Sequence, residues 1–351
     1  MSMFRNVSPK LAVSVLLVVA AIALTAYLIY YSPGASVSES PMTTIDPRGP
    51  AADLIQDIYA LVWWLALAVF IIVEGLLVFA IVKYRGRSTK GHGSLDRPKP
   101  VHGNTRLEIV WTIIPALILV VIAIPTLAGI AELAEEPGDD ALVVNVIGKQ
   151  FFWEFEYPEY GFTVANEMHI PVGREIDIRL HSGDVIHSFW VPQLNGKMDA
   201  IPAKENRLWL EANEAGTYMG QCAEFCGLSH ALMLFTVVAE PDADFAAWVD
   251  SIQNPPDVDP IAAGQLILEQ KCAACHKVEG TTAQGVVGPE LTGFGDQPMI
   301  AGILENTPEN LAAWLADPQA IKPGTAMPNL GLTEQEITNL VAYLESLTAA
   351  Q

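Results

Sequence analysis

The chain has 351 residues and a formal charge of -21, from 40 acidic against 19 basic side chains, yet 51% of it is hydrophobic and its mean hydropathy is +0.31. Positive hydropathy excludes an ordinary acidic soluble protein, and 8 Trp, 9 Tyr and 12 Phe exclude a disordered acidic tail. The few Lys and Arg exclude a nucleic-acid binder, and four cysteines are too few for a disulfide-stapled scaffold.

Three apolar runs open the chain: Leu11 to Tyr31, Ile58 to Val82 and Ile109 to Ala131. Roughly 20 helical residues cross a hydrocarbon core of about 30 Å, so the second and third runs predict membrane helices. For the first, Arg5 and Lys10 ahead of the apolar stretch fit a cleaved signal peptide and a retained helix equally. Lys83, Arg85, Arg87, Lys90, Arg97, Lys99 and Arg106 crowd the segment between the second and third runs, which places it in the cytoplasm and everything after residue 131 outside. From residue 132 onward 33 acidic side chains face 9 basic ones, so the negative charge belongs to the exported part. Glu74 lies inside the second run, where a charge costs roughly 3 kcal/mol; it is therefore neutral or faces a partner. Glu108 opens the third run and, on physics alone, reads as a solvated carboxylate favoured by the helix dipole.

Between residues 141 and 240 the period changes. Leu142 to Val146, Phe151 to Tyr157, Glu175 to Leu180, Arg207 to Leu210 and Leu232 to Val238 are short and rich in aromatic or β-branched residues. Pro158, Gly161, Gly173, Gly183 and Gly216 separate them, which predicts an antiparallel sandwich or barrel. Asn254 to Asp259 reads as a linker. Beyond it, Asp259–Pro260 and Thr307–Pro308 predict helix starts and Thr333–Glu334–Gln335–Glu336 a capping box. Ile337, Leu340, Val341, Leu344 and Leu347 form one apolar face behind that box, so the tail is a small α domain.

The cysteines carry the chemistry. Cys272–Ala–Ala–Cys275–His276 is the c-type haem attachment pattern, with two thiols for thioether bonds and an adjacent imidazole for the iron. A zinc half-site would want further Cys or His nearby, and a dithiol redox pair a βαβ context; neither is present. For the other side of the iron the tail offers Met327, in the Pro-pinned run Lys322 to Pro328, and Met299, whose neighbours read more easily as packing into a helix start. Cys222 and Cys226, followed by His230 and Met233 with His187 upstream, form a soft and borderline donor set that favours copper over calcium or magnesium. Two thiolates suit two copper ions sharing bridging sulfurs. A disulfide is the competing reading.

With these residues in view, the sequence resembles subunit II of haem-copper oxygen reductases from about residue 50 to its end, in the caa-type form with a cytochrome c domain fused at the C-terminus. The run Gln221–Cys222–Ala–Glu–Phe–Cys226–Gly is the most specific part of the likeness. The resemblance implies a multidomain chain: a transmembrane helical hairpin, an all-β cupredoxin-like barrel and an all-α class I cytochrome c domain. Its expected divisions are 1–48 (the N-terminal apolar segment and a linker), 49–131 (the hairpin), 132–250 (the copper A domain), 251–260 (a linker) and 261–351 (cytochrome c). It implies a dinuclear copper A centre on His187, Cys222, Cys226, His230, Met233 and the backbone carbonyl of Glu224. It also implies one covalent haem c on Cys272, Cys275 and His276 with Met327, and magnesium held partly by the Glu224 side chain and shared with the catalytic subunit.

By the same likeness Glu108 matches a carboxylate at the mouth of a proton channel, which reverses the reading from physics alone. The implied setting is a bacterial cell membrane crossed more than once, with both redox domains on the extracytoplasmic side. Membrane lipid, subunit I, further oxidase subunits and a donor such as a basic cytochrome c are the implied partners; nucleic acid is not among them. The function implied is electron delivery to a separate catalytic subunit that reduces oxygen and pumps protons. This chain supplies no residue for the oxygen chemistry. Two departures stand out: many relatives carry Gln-Trp-x-Trp where this chain has Gln150–Phe151–Phe152–Trp153, and Ala203 stands where Gly is usual after Ile201–Pro202. The first weakens direct delivery from a free cytochrome to the copper and fits a tethered haem.

Overall fold

The computed structural model describes residues 42–84, 103–254 and 262–348. The apolar run at 11–31, the basic residues between 85 and 102, and the linker at 255–260 with its Asp259–Pro260 helix start lie outside the described residues. Two compact units emerge, one holding Leu54–Glu132 and the other Pro41–Asp53 with Leu133–Gln351.

In the first unit, α1 (Pro50–Tyr84) and α2 (Thr105–Leu133) each outrun the apolar stretch that predicts them. Both are long and apolar enough to cross a membrane. Polar helix starts account for part of the extra length. Asn104 Oδ1 accepts from the Arg106 and Leu107 amides, and Glu108 Oε1 accepts from the Asn104 amide at 3.2 Å, so Glu108 caps its own helix. Trp64, Leu119 and Leu127 are exposed, as side chains facing hydrocarbon or a partner subunit would be. Glu74 lies on a groove shared with Val62, Val69, Phe70, Ile118 and Ile122. The first turn of α1, with Ala51 and Ala52 buried, belongs to the second unit.

The second unit begins with a β sandwich. One sheet has the order β3 (Phe162–Ala165), β2 (Phe152–Tyr157), β1 (Leu142–Lys149), β5 (Ile176–Ser182), β8 (Asn206–Leu210). The other has β4 (Glu167–Pro171), β10 (Leu234–Glu240), β9 (Gly216–Cys222), β6 (His187–Trp190), β7 (Met198–Ala200). Every second residue of β1 is buried, which is the period-2 pattern of a strand facing one core. Trp153, Phe155, Tyr157, Phe189 and Phe235 fill the space between the sheets.

The expected purely antiparallel pairing is corrected in two places: β1 runs parallel to β5, and β4 to β10. The chain leaves the first sheet after β3, places β4 in the second, and returns with β5 beside β1, so a change of sheet separates these neighbours. Of the ten strands in these two sheets, β3, β4, β6, β7 and β9 were not evident from periodicity, being short or, in β9, containing two glycines. Helix α3 (Asp242–Gln253) closes the sandwich by burying Phe245 and Val249 in the same core.

The tail is helical, as expected: α4 (Ala262–Ile267), a π turn over Leu268–Cys272, α5 (Pro308–Ala316), α6 (Pro318–Ile321) and α7 (Glu334–Ser346). Thr307 and Thr333 cap α5 and α7, the latter through a complete capping box with Glu336. Leu340, Val341 and Leu344 of the anticipated apolar face are buried, with Ile337 and Leu347 packed at its edge. One expectation fails: Met299 does not start a helix. It sits in β11 (Met299–Ile300), paired with β12 (Leu304–Glu305), because the turn between them folds the segment back on itself.

Outside the anticipated sites, His169 is nearly buried, stacks on Trp248 at 4.2 Å, and pairs with Glu240 at 2.8 Å and Glu167 at 3.0 Å. Burial pushes its pKa down, but the two carboxylates more than offset this and hold it above the usual 6.5. A raised histidine contributes stability that is fully present below about pH 6.5 and lost as pH rises through the folded value. Denaturant titration of the full chain should therefore show the sandwich weakening toward alkaline pH. His169→Gln should cost about 2 kcal/mol on the acid side and flatten that dependence; an unchanged pH profile would refute the assignment.

Candidate metal and haem centres

The first centre forms where β6, the end of β9 and the turn before β10 meet. His187 starts β6 and is fully buried; Cys222 ends β9; Cys226 and His230 lie on the following loop, and Met233 directly precedes β10. Cys226 Sγ stands 3.9 Å from Cys222 Sγ, 3.7 Å from His230 Nδ1 and 3.8 Å from Met233 Sδ. Cys222 Sγ is 3.9 Å from His187 Nδ1 and 3.2 Å from the Glu224 carbonyl. Five side chains and one carbonyl, 46 residues apart at their extremes, thus converge on a single point.

Supporting groups aim these donors. Asp184 Oδ1 lies 2.7 Å from His187 Nε2, which leaves Nδ1 turned toward Cys222. A Cβ on Gly148 would lie 2.9 Å from the His187 ring, so the neighbouring strand must carry glycine there. The Trp153 indole meets the same imidazole edge-on at 5.9 Å. Gln150 Nε2 donates to the Cys226 carbonyl and ties the loop to the first sheet. Both cysteines are free, so the disulfide reading fails. Burial and the adjacent Cys222 push the Cys226 thiol up to about 12, so a thiolate pair there needs bound cations. Buried soft sulfurs with imidazoles fit copper. The Glu224 side chain is exposed, pointing away from the sulfurs while its carbonyl points toward them.

The second centre is a partly open, mainly apolar cavity lined by Cys272, Cys275, His276, Trp314 and Met327 among others. The π turn carries Cys272, whose carbonyl accepts from the amides of Cys275 and His276, folding the motif into one turn. His276 Nδ1 donates to the Pro289 carbonyl at 2.8 Å, and burial lowers its pKa; the imidazole is neutral with Nε2 available as a ligand. Gly288 is packed so closely that a Cβ would lie 2.7 Å from the His276 ring. The Gly288–Pro289 pair is therefore part of the histidine's support.

Opposing it, Gln319 Nε2 donates to the carbonyls of Thr325 and Met327 and fixes the methionine loop. Met299 is not among the residues lining the cavity, although Ile300 is. Two thiols, a neutral imidazole and a thioether around one apolar space fit a covalently held haem.

The two centres are neighbours within this unit. Phe151 and Phe152, the residues standing where relatives carry Trp, line the haem cavity from the copper domain. Ser229, between Cys226 and His230, donates to the carbonyl of Pro323, and Gly324 packs against Leu228 and Phe151. Neither Ser229 nor Gln150 was singled out from the sequence, since their roles depend on segments far away in the chain.

Three family profiles match the chain: the transmembrane domain of cytochrome c oxidase subunit II over residues 39–128, its periplasmic domain over 162–240, and cytochrome c over 261–348. Subunit 2 of cytochrome c oxidase from Alkalihalophilus pseudofirmus is 41% identical over 321 residues, covering 89% of this chain and 92% of that protein. Its counterpart from Bacillus subtilis is 36% identical, with 88% and 92% covered. The solved periplasmic domain of subunit II from Bradyrhizobium japonicum is 32% identical, covers 33% of this chain and 96% of that one, and has a TM-score of 0.32. Copper A and haem c are the cofactors these domains imply, and the transmembrane match makes this a membrane protein with two spanning helices. With its copper-type donor cluster, its haem-attachment cavity and near full-length relatives, the chain belongs to the cytochrome c oxidase subunit II family, in the caa-type form with a fused cytochrome c domain, and is the electron-transfer subunit of a haem-copper oxidase.

Proposed function

We propose that electrons enter this chain at the cytochrome c domain and leave through the copper domain toward the oxygen-reducing subunit. In this reading Cys272, Cys275, His276 and Met327 would hold the haem, and His187, Cys222, Cys226, His230, Met233 and the Glu224 carbonyl would hold the copper pair. The observation that carries it is the abutment of the two donor clusters across Phe151, Ser229 and Gly324. When bound, the haem and the copper pair each supply reversible one-electron storage.

The chain's own residues do the rest. Asp184 and the Pro289 carbonyl orient the two histidines, and Phe151 and Trp314 help exclude water from the haem cavity. The seam holds the domains at a short separation without a diffusional encounter, the limiting case of a high effective concentration.

The exposed Glu224 carboxylate is suited to magnesium shared with the catalytic subunit. Glu108, at the cytoplasmic start of α2, is assigned to a proton-channel mouth, its helix-capping bond being readily exchanged for water. The acidic exported surface fits a basic donor such as a cytochrome c, steered by long-range attraction. The chain sits in the lipid of a bacterial cell membrane, with both redox domains outside. Metal and haem analysis of the purified oxidase tests the ligand assignment: two copper ions in this subunit per haem c are expected, and fewer than two in a fully loaded sample would reject it.

A further inference from the structure

Lys322 is 2% exposed, yet among the described residues it forms no ion pair. Its Nζ donates to the Ala301 carbonyl at 2.8 Å, and both residues line the haem cavity. An ammonium offers three hydrogens, so two remain without an acceptor among the described residues. Burying a charge in this way costs several kcal/mol unless an anion compensates it. Without one, burial drags the Lys322 pKa down to about 7, against which only the Cys226 thiol acts. That thiol is a poor permanent partner, because bound copper neutralises its charge.

A cavity occupant that carries a carboxylate would supply the missing anion. A haem fixed through its vinyl positions at Cys272 and Cys275 would bring two propionate carboxylates with it, and one of them placed beside Lys322 would be such an anion. We propose that Lys322 is the internal counter-ion of a haem propionate, holding that carboxylate ionised inside the protein and raising the potential of the haem. The inference rests on the haem reading above. It assigns to Lys322 a positioning and electrostatic role, distinct from the ligand role of Met327 five residues later.

The test uses the intact oxidase with an isotope label in the haem carboxylates. In Lys322→Met the haem c equilibrium should move toward the oxidised form by about tenfold, which is 59 mV for one electron, because a nearby positive charge is lost. The labelled carboxylate bands in the redox infrared difference spectrum should shift as well. Lys322→Arg should keep the haem c redox equilibrium within about twofold of the parent while moving the carboxylate band, since a forked guanidinium replaces an ammonium.

A fully haem-loaded Lys322→Met protein with parental potential and bands would overturn the proposal. So would a changed copper spectrum with an unchanged haem, which would make Lys322 the partner of the thiolates. If Lys322→Met fails to take up haem, the arginine variant decides alone, and an unmoved band overturns the pair. Haem content measured on the unsubstituted chain keeps the two readings apart: its absence would remove the haem assignment itself.

Discussion

Cys226→Ser is expected to abolish the copper pair while leaving haem c attached and reducible. Cys226 is the hub of its centre, with its sulfur within 3.9 Å of the other thiol, of the His230 nitrogen and of the Met233 sulfur. Cys222 reaches three donors as well, namely His187, the Glu224 carbonyl and Cys226 itself, so the two thiols together form the middle of the set. A serine hydroxyl is a hard donor and does not deprotonate in a buried site, so it cannot bridge two soft ions. Loss of a group that merely orients a ligand typically costs 10- to 100-fold in metal affinity, so loss of one of the two thiols should lower oxidase turnover by at least about 100-fold. The haem domain has its own core around Leu311, Trp314, Leu340 and Leu344, so its spectrum should persist. Copper content, the visible and electron-paramagnetic spectra of the copper pair, and turnover would be measured on the same preparation. A variant that retains two coppers and parental spectra would remove Cys226 from the ligand set.

Met327→Ala is expected to disturb the haem strongly, whereas Met299→Ala should leave it close to parental. Met327 lines the same cavity as His276, whose Nδ1–H is held by the Pro289 carbonyl, and its loop is fixed by two hydrogen bonds from Gln319. Axial ligands set haem potentials over a range of about 0.8 V, and a thioether lies toward its upper part, so loss of the sulfur should lower the potential by roughly 0.1 V or more. Electron uptake from a donor then becomes unfavourable, and an exogenous ligand such as carbon monoxide gains access to the iron. Met299 contributes a β11 side chain near the helical core and is not a wall of the cavity. Its truncation should cost about 2 kcal/mol or less in stability, with little change in the spectrum. If the spectral change followed Met299 and not Met327, the axial assignment would pass to Met299.

Both predictions concern residues visible in the linear sequence, and the reason is local. Cys222 to Met233 spans one loop, and Cys272 to His276 one helical turn, so the spacing of the donors nearly dictates their meeting. Apolar length marked both spanning helices for the same reason, because a helix reports its burial along its own axis. The capping box at Thr333 and the Thr307–Pro308 start were likewise readable, their hydrogen bonds closing within three residues.

Tertiary structure decided what depends on distant segments. His187 reaches the copper loop only because β6 pairs with β9, and Asp184 then turns its ring. The parallel pairings of β1 with β5 and β4 with β10, and half of the strands, escaped the pattern because short polar strands draw their stability from neighbours far away in sequence. His169 with its two glutamates, the Ser229–Pro323 contact and the buried ammonium of Lys322 are properties of burial and encounter, which no spacing encodes. Composition and motif by themselves determined that this is a membrane-anchored, acidic, two-centre redox chain. Packing alone decided that its centres face each other across one seam, because the free energy that joins two domains resides in complementary surfaces drawn from separate parts of the chain.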